Sequence, residues 1–412
     1  MKTSKKVAFI MTAFPSIAET CVTREMVQLR QIGMDLSIFS LRQPREREAH
    51  KDARSLLDIT IYSKCLFGKS LIYANLHFFF LRTIRYIQCI CFLFSKLKSP
   101  KDFLFNLLVF PKVVYFASIA LKKDVQLLHG EKALHPATAA YIISKLTDIP
   151  FSFSGHAYDI YLRTTGLEEK IKSARFIITC TKDNERYLSG KYPDSVNSKI
   201  RVIYHGVDLN IFKTLSGGNV DHGNNGSIFN ILAVGSLLKC KGFDYLIDAC
   251  AILKDNGSKF RCKIAGNGPE MKKLRGMVKT LDLCEEVTFV GKILQDELLP
   301  LYNDANVCVL PAIIDIHFGI PNVLLEAMAM KCPVICTPLP SCKEFLYDGR
   351  NGYIVREKDP SALADAIGKL IVNKELEINF GKEGLKIIKD RFDGRKNAMD
   401  MFKVFDSILY TK

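Results

Sequence analysis

Residues 231–250 read ILAVGSLLKCKGFDYLIDAC, and this stretch decides the expected fold. The short apolar run from Ile231 to Gly235 predicts a buried strand, and Phe243 to Lys254 follows with the spacing of a helix. Further short apolar runs continue the alternation at Arg261–Ala265, Val287–Val290, Val307–Leu310 and Val334–Cys336. Short buried strands that alternate with helices predict an α/β fold with a parallel sheet covered on both faces.

The first half of the chain has the same rhythm, with strand-like runs that begin at Val7–Met11 and Leu36–Phe39. Between residues 213 and 229 the composition changes to a Gly- and Asn-rich segment that cannot fill a core. We therefore expect two doubly wound Rossmann-like domains that face each other across a cleft. The expected boundaries are 1–205 for the first domain, 206–229 for the linker, 230–392 for the second domain and 393–412 for a C-terminal helix, which can pack back on the first domain.

Composition excludes several classes of protein. The 412 residues are 48% hydrophobic and 25% charged, which is typical of a globular protein rather than a disordered one. The uncharged, apolar stretches Ser70–Leu81 and Tyr86–Ser95 are shorter than the ~20 apolar residues of a membrane-spanning helix. Thirteen cysteines lie singly, without a Cys-x-x-Cys pair, which favours a reducing compartment and disfavours a zinc site. The apolar run Val7–Phe14 loosely imitates a secretory signal but fits a buried opening strand better.

The net charge of +15 is concentrated in the first 200 residues, which carry 30 Lys and Arg against 17 Asp and Glu. Within them, Lys64–Lys123 holds ten basic residues and a single acid, Asp102, together with the aromatic runs FFFL and CFLF. Such a mixture predicts contact with an anionic membrane surface. The alternative is that these helices are the apolar cover of the first sheet. Nucleic acid is a poorer partner, because bulky aliphatic residues interrupt the basic ones.

A loop after the strand that ends at Leu310 leads through Gly319-Ile320-Pro321-Asn322 into a helix. Free amides and the positive dipole at such a helix start form an anion site, and Gly319 lets a ligand approach the backbone. Glu326, one turn further on, is within reach of ligand hydroxyls. The alternative interpretation is an ordinary helix start with a solvated glutamate.

Two other strand–loop–helix junctions and one histidine complete the candidates. Lys241, just before Gly242, is suited to neutralise a leaving diphosphate, unless it is only a solvated loop lysine. The turn Gly266-Asn267-Gly268 is a weaker signal. His156 follows the strand Phe151–Phe153 and is suited to bind a sugar hydroxyl or to serve a structural role. No Asp-x-Asp motif occurs, so protein groups rather than a metal are expected to supply positive charge.

Taken together, the motifs resemble the retaining glycosyltransferases of family 4, which have the GT-B fold. The resemblance rests on five strings in order: VGSLLKCKGFDYLIDA, AGNGPE, VTFVGKI, FGIPNVLLEAMAMKCPVICTP and KEFLYDGRNGYIV. The first half resembles the branch that builds exopolysaccharides of the colanic-acid type, through TAFPSIAETCVTREMVQLRQIGMDLSIFSLR and IPFSFSGHAYDIY.

The resemblance implies a UDP- or GDP-sugar donor in the second domain and an acceptor in the first. Lys241 would contact the donor diphosphate, Glu326 the ribose and His156 the transferred sugar, and these three are the expected catalytic residues. No metal and no cofactor beyond the donor substrate are implied. The remaining donor-binding residues implied are Ser236, Gly266, Gly268, Val290, Phe318, Gly319, Ile320, Pro321 and Asn322.

The resemblance further implies a role in polysaccharide assembly, a glycan acceptor that is lipid-linked, and a cytoplasmic location at the inner face of the membrane. Two positions depart from the family pattern. Phe318 stands where members usually have a glutamate that touches the donor sugar, and Asp315 or His317 would have to replace it. Ser236 stands where many members have an arginine. The competing hypotheses are a catalytically impaired scaffold subunit and a sugar-nucleotide epimerase.

Overall fold

The computed structural model describes residues 6–16, 20–44, 51–63, 68–95, 100–196, 198–213, 228–293, 295–314 and 319–410. It divides into two compact units. The first comprises Met1–His205 and Arg395–Lys412, and the second comprises Gly206–Gly394.

The first unit is a three-layer α/β structure. Its elements are β1 (Lys6–Ala13), α1 (Thr20–Gln31), β2 (Asp35–Arg42), α2 (Lys51–Arg54), β3 (Thr60–Tyr62), α3 (Lys69–Leu81), α4 (Thr83–Ser95), α5 (Pro100–Lys122), β4 (Leu127–Glu131), α6 (His135–Thr147), β5 (Phe151–Gly155), α7 (Leu167–Ser173), β6 (Ile177–Thr179), α8 (Lys182–Lys191), α9 (Pro193–Val196) and β7 (Ile200–Val202). The strands form one parallel sheet in the order β3-β2-β1-β4-β5-β6-β7.

The second unit repeats this architecture. Its elements are β8 (Phe229–Val234), α10 (Phe243–Asp255), β9 (Phe260–Ala265), α11 (Met271–Thr280), β10 (Val287–Gly291), α12 (Gln295–Asp304), β11 (Val307–Leu310), α13 (Asn322–Ala329), β12 (Val334–Cys336), β13 (Gly352–Ile354), α14 (Pro360–Val372) and α15 (Lys374–Arg391), and the chain ends with α16 (Gly394–Tyr410). The sheet is again parallel, in the order β10-β9-β8-β11-β12-β13. The expected α/β fold with two doubly wound domains is confirmed.

Both faces of β1 are buried, which explains its unbroken apolar sequence. Ala8 and Ile10 pack in one cluster with residues of α5 and α6. Val7 and Phe9 point to the opposite face and pack with α1. Alternate residues of a strand point to opposite faces, so a strand in the middle layer must be apolar at every position.

The C-terminal helix α16 belongs to the core of the first unit. Met401 and Phe405 are buried against the β1 face that carries Phe9, and the Phe405 and Phe9 rings lie 5.9 Å apart. Asn397 Nδ2 donates a hydrogen bond to the Tyr204 carbonyl at 3.0 Å. The last helix therefore covers one face of the first sheet, whose strands all come from the first 205 residues.

The structure adds details that the pattern missed. The strands β3 and β13 lie at sheet edges and have mostly half-buried residues, so they form no apolar run that the sequence could reveal. Val207 and Phe212, which the expected linker boundaries 206–229 include, are buried in the second unit. Residues 214–227 of that expected linker lie outside the described residues.

Among the described helices, none by itself is long and apolar enough to cross a membrane. Only when α3 and α4 are joined, across a bend of 110°, do they reach that length and composition.

Candidate active site

In the second unit, the loops after β8 and β9 touch through their backbones. A Cβ atom added at Gly266 would overlap the Gly235 carbonyl oxygen, and one at Gly268 would overlap the Leu237 carbonyl oxygen. The Leu237 amide donates to the Asn267 carbonyl at 3.0 Å, which joins the two loops. Both glycines are therefore required by backbone contacts inside the protein.

Lys241 closes a short 3-10 turn over Lys239–Lys241 at the end of the first of these loops. The next residue, Gly242, has φ +66°, and a Cβ atom there would overlap the Pro311 carbonyl oxygen. The Ile313 amide donates to the Cys240 carbonyl at 2.9 Å. The lysine loop is thus bound to the loop that follows β11.

The side chain of Lys241 runs past Gly235, since a Cβ atom at that glycine would lie 3.8 Å from the lysine Cε. Burial lowers the pKa of the Lys241 ammonium, and the neighbouring Cys240 partly opposes the shift. A poorly hydrated ammonium pays less desolvation when an anion binds. Lys241 is therefore half-buried rather than fully solvated, and its role toward a ligand stays a prediction.

The start of α13 is held by the loop after β12. Ser341 Oγ donates to the Gly319 carbonyl at 2.7 Å, and Gly319 has φ +87°. The N-cap residue is Pro321, which has no side-chain group that can cap the helix amides. Ile320 and Asn322 are partly exposed beside it. Phe318, the most important departure from the family pattern, lies outside the described residues.

Glu326 is buried, with 5% of its surface exposed. Tyr302 on α12 donates its hydroxyl hydrogen to Glu326 Oε2 at 3.1 Å. Burial, and after it the Glu326 carboxylate, raise the pKa of Tyr302 well above its usual value. The alternative of a solvated glutamate is wrong, and Tyr302 is a partner that no sequence motif indicated.

The remaining donor-binding candidates lie on the same edge of the second sheet. Ser236 follows β8 and is exposed, and Val290 is 38% exposed near the end of β10. The Gly266 amide donates to the Gly291 carbonyl at 2.8 Å, which links β10 to the glycine turn. The carboxyl ends of β8, β9, β10 and β11 therefore present all described second-unit candidates together, where doubly wound sheets bind their ligands.

In the first unit, His156 belongs to a buried cluster at the carboxyl ends of β4, β5 and β7. Its Nε2 lies 2.9 Å from His205 Nε2 and 3.6 Å from Glu131 Oε1. Glu131 Oε2 lies 3.4 Å from His129 Nε2, and His205 Nδ1 lies 3.5 Å from Glu25 Oε2. Only His156 had been identified from the sequence.

The charges in this cluster are unequally distributed. Burial opposes ionisation of Glu131, but the pKa of its carboxyl is lowered to about 2, because His129 and the other histidines favour the charged form. Burial and the neighbouring His205 lower the pKa of His156 to about 3. The cluster therefore combines a buried carboxylate with a neutral imidazole.

A second buried pair supports the turn that carries His156. The His156 amide donates to Asp159 Oδ1 at 3.0 Å, and Asp159 Oδ2 accepts from the Ala133 amide. Lys170 Nζ donates to the Ala133 carbonyl at 2.5 Å. Burial raises the pKa of Asp159 to about 6 and lowers the pKa of Lys170 to about 7. The motif that contains Asp159 was visible in the sequence, but Lys170 carried no signal.

In the part of the chain that the structure describes, no group of three or more His, Cys, Asp or Glu residues is arranged to hold a metal ion.

Residues 228–373 match the family model described as Glycosyl transferases group 1. The chain is 26% identical over 297 residues to the uncharacterized glycosyltransferase MJ1178 of Methanocaldococcus jannaschii, covering 71% of this chain and 78% of that protein. The structure of Anabaena Alr3699/HepE in complex with UDP-glucose aligns with a TM-score of 0.72 and 16% identity over 98% of this chain and 99% of that one. The protein is a glycosyltransferase with the GT-B fold.

The glycosyltransferase is also similar to a putative colanic acid biosynthesis glycosyltransferase, WcaL of Salmonella typhimurium. The two are 34% identical over 143 residues, which is 34% of this chain and 35% of that protein. This likeness covers about a third of the chain, so the assignments to family 4 and to the colanic-acid branch stay predictions.

Proposed function

We propose that this glycosyltransferase moves a sugar from a UDP- or GDP-sugar, bound by the second unit, to a glycan acceptor. The observation that carries the proposal is that the Lys241 loop contacts both the Gly266–Gly268 turn and the loop after β11, the loop that leads into α13. A half-buried ammonium and a helix start without a side-chain cap suit a diphosphate. The UDP-glucose complex of the structurally similar HepE protein supports this donor class.

In this mechanism, transfer proceeds with retention, and the departing diphosphate helps to take the acceptor proton. Lys241 and the amides of the Gly319–Asn322 segment stabilise the negative charge that develops as the anomeric bond breaks. Glu326 binds the ribose, with Tyr302 holding its carboxylate in place. His156 contacts the transferred sugar. Catalysis then depends on positioning and on preorganised charge, without a metal.

Ser236 and Phe318 are the two positions that argue against full catalytic activity by this mechanism. Ser236 offers one neutral hydrogen bond where an arginine would offer a charge-assisted pair. If Phe318 removes an essential contact as well, the protein is a scaffold that binds the donor without turning it over. A sugar-nucleotide epimerase is the third hypothesis, and it requires no acceptor.

The proposed acceptor is lipid-linked, and the first unit docks on an anionic membrane at the cytoplasmic face. The helices α3 to α5 expose large apolar side chains, among them Tyr73 at 70%, Phe80 at 73% and Ile84 at 74%. The surrounding segment Lys64–Lys123 carries ten basic residues and one acid. Exposed apolar patches of this kind mark interaction surfaces, and the basic excess complements anionic lipid. The similarity to WcaL supports a role in polysaccharide assembly.

A thermal-shift screen of the full chain against UDP- and GDP-sugars tests the donor assignment. A ligand that binds only the folded state raises the melting temperature, by an amount that grows with its concentration over Kd. We expect a shift with one nucleotide class and transfer of its sugar to a lipid-linked acceptor. A shift without turnover favours the scaffold, interconversion of the free donor favours the epimerase, and no shift across the panel contradicts all three.

A further inference from the structure

The His156 and His205 rings share a hydrogen bond whose direction can be derived. The rings are nearly parallel, at 8°, and their Nε2 atoms lie 2.9 Å apart. Two imidazole nitrogens at this distance share a single hydrogen, so one Nε2 donates and the other accepts. The surroundings of the two rings decide which one donates.

His205 is the donor, because a carboxylate lies on its other side. Its Nδ1 is 3.5 Å from Glu25 Oε2, and both side chains are largely buried. Burial opposes a charge on His205, but the sulfur atoms of Cys21 and Cys180 and the Glu25 carboxylate raise its pKa well above the usual value. An imidazolium carries hydrogens on both nitrogens, so His205 donates through Nε2.

His156 is consequently neutral, with an unprotonated Nε2 and its hydrogen on Nδ1. The groups that face it are His205, Glu131, His129 and Lys132. Glu131 Oε1 is 3.6 Å from His156 Nε2, which is too long for a hydrogen bond, so the carboxylate acts by its charge. Ser152 Oγ at 2.8 Å and Ser154 Oγ at 2.9 Å hold the His129 ring that lies beside Glu131.

The hydrogen on His156 Nδ1 has no acceptor among the described residues, although the atom is buried. A buried donor without a partner destabilises the protein, and such groups occur where a ligand supplies the partner. The buried cluster also needs a negative charge, and the Glu131 carboxylate supplies it by balancing the imidazolium of His205. Its own two oxygens also lack hydrogen-bond partners among the described residues.

We propose that His205 is a positioning residue that keeps His156 neutral with its hydrogen on Nδ1, ready for donation to an oxygen of the bound substrate, and that Glu131 is a positioning residue whose negative charge balances the protonated His205 ring. The identity of that substrate rests on the proposed function, whereas the protonation pattern does not. The pattern predicts that His156 keeps the same form throughout the physiological pH range.

Nitrogen NMR of the full chain, labelled with ¹⁵N-histidine and free of ligand, tests the pattern. Long-range proton–nitrogen correlations distinguish a protonated from an unprotonated ring nitrogen, and His156→Gln assigns the His156 signals. Between pH 5.5 and 8 we expect His156 to show hydrogen on Nδ1 only, without titrating, and His205 to show hydrogen on both nitrogens. Hydrogen on His156 Nε2, or titration of His156 in this range, would overturn the proposal.

Variants supply the second readout. In His205→Gln we expect His156 to begin titrating within the same pH range, whereas His77→Gln, at an exposed position of α3, leaves His156 unchanged. With the donor found in the thermal-shift screen, His205→Gln and Glu131→Gln should lower kcat at least tenfold and change the donor KM less than twofold. A KM change with unaltered kcat would contradict a positioning role. If no donor binds, the proposed function fails, but the NMR result still decides the protonation pattern.

Discussion

At the scale of single residues, Lys241 has the clearest predicted role. Its ammonium is held half-buried at the carboxyl edge of β8, with a depressed pKa because of burial. If it neutralises a diphosphate, Lys241→Ala should weaken binding of UDP or GDP by about tenfold or more and leave nucleoside binding unchanged, since a charge-assisted contact contributes ~1.5–3 kcal/mol. Isothermal titration calorimetry measures both affinities.

Lys239 provides the matched control for this experiment. It lies in the same 3-10 turn and is exposed, so Lys239→Ala removes the same charge from the same loop. We expect less than a twofold effect on nucleotide affinity. Equal losses for nucleoside and nucleoside diphosphate in Lys241→Ala would count against its assignment.

At the scale of elements, the touching loops after β8 and β9 predict a stability difference between two glycines. Gly266→Ala places a Cβ atom on the Gly235 carbonyl oxygen, so the loops must separate. We expect destabilisation of the second unit by about 2 kcal/mol or more, the range found for strained backbone positions. Urea unfolding followed by circular dichroism measures this loss.

Gly276 is the control glycine, because it is exposed within α11 and nothing lies within 4 Å of an added Cβ atom. Gly276→Ala should stabilise the protein by about 0.5–1 kcal/mol, since alanine favours the helix. Opposite signs for the two variants are expected. A neutral Gly266→Ala would mean that the loops are not held together as the structure has them.

Lys170 on α7 predicts a pH dependence of stability. Burial lowers its pKa from 10.5 to about 7, so between these values the unfolded chain binds a proton that the folded chain does not. The free energy of unfolding should therefore rise with pH from 7.5 to 9.5, by at most about 1.4 kcal/mol per pH unit. Lys170→Met should remove this part of the slope. Parallel slopes for the two proteins in urea titrations would disprove the assignment.

The elements show how far the sequence could predict this structure. The strands from β8 to β12 were predicted within two residues of their ends, because each is a short apolar run between turn residues. The edge strands β3 and β13 were not predicted, since most of their residues are only partly buried and form no apolar run, whereas the equally short β12 is buried throughout. The candidate site was predicted where backbone glycines and a helix start define it. Side-chain partners, such as Tyr302 for Glu326, could not be predicted, because only tertiary packing brings α12 beside α13.

At the scale of the whole molecule, the exposed apolar face of α3 and α4 predicts membrane binding. Phe80 and Ile84 are 73% and 74% exposed, and burying such side chains contributes ~1.5–3 kcal/mol each. The double variant Phe80→Ser and Ile84→Ser should lower flotation with anionic liposomes by about tenfold or more at low salt. Val372→Ser is the control, because Val372 is 84% exposed on α14 of the second unit. Absence of flotation by the unaltered protein at low salt would remove the proposal.

The sequence by itself determined the architecture. The alternation of apolar strands with helices permits two parallel sheets, and parallel strands collect the loops at their carboxyl ends on one edge. This argument places Lys241, Gly266 and Gly319 together without any knowledge of side-chain contacts. The basic, apolar segment around α3 to α5 was likewise visible in the composition.

Only the tertiary structure decided which side chains meet. His156 lies within hydrogen-bond distance of His205, which is 49 positions later in the sequence. Glu25 on α1 lies beside His205 as well. The last helix, α16, joins the first sheet instead of the second unit that precedes it. Local patterns encode which face of an element is buried, but the partners across that face depend on strand order and register, which arise only when the whole chain packs.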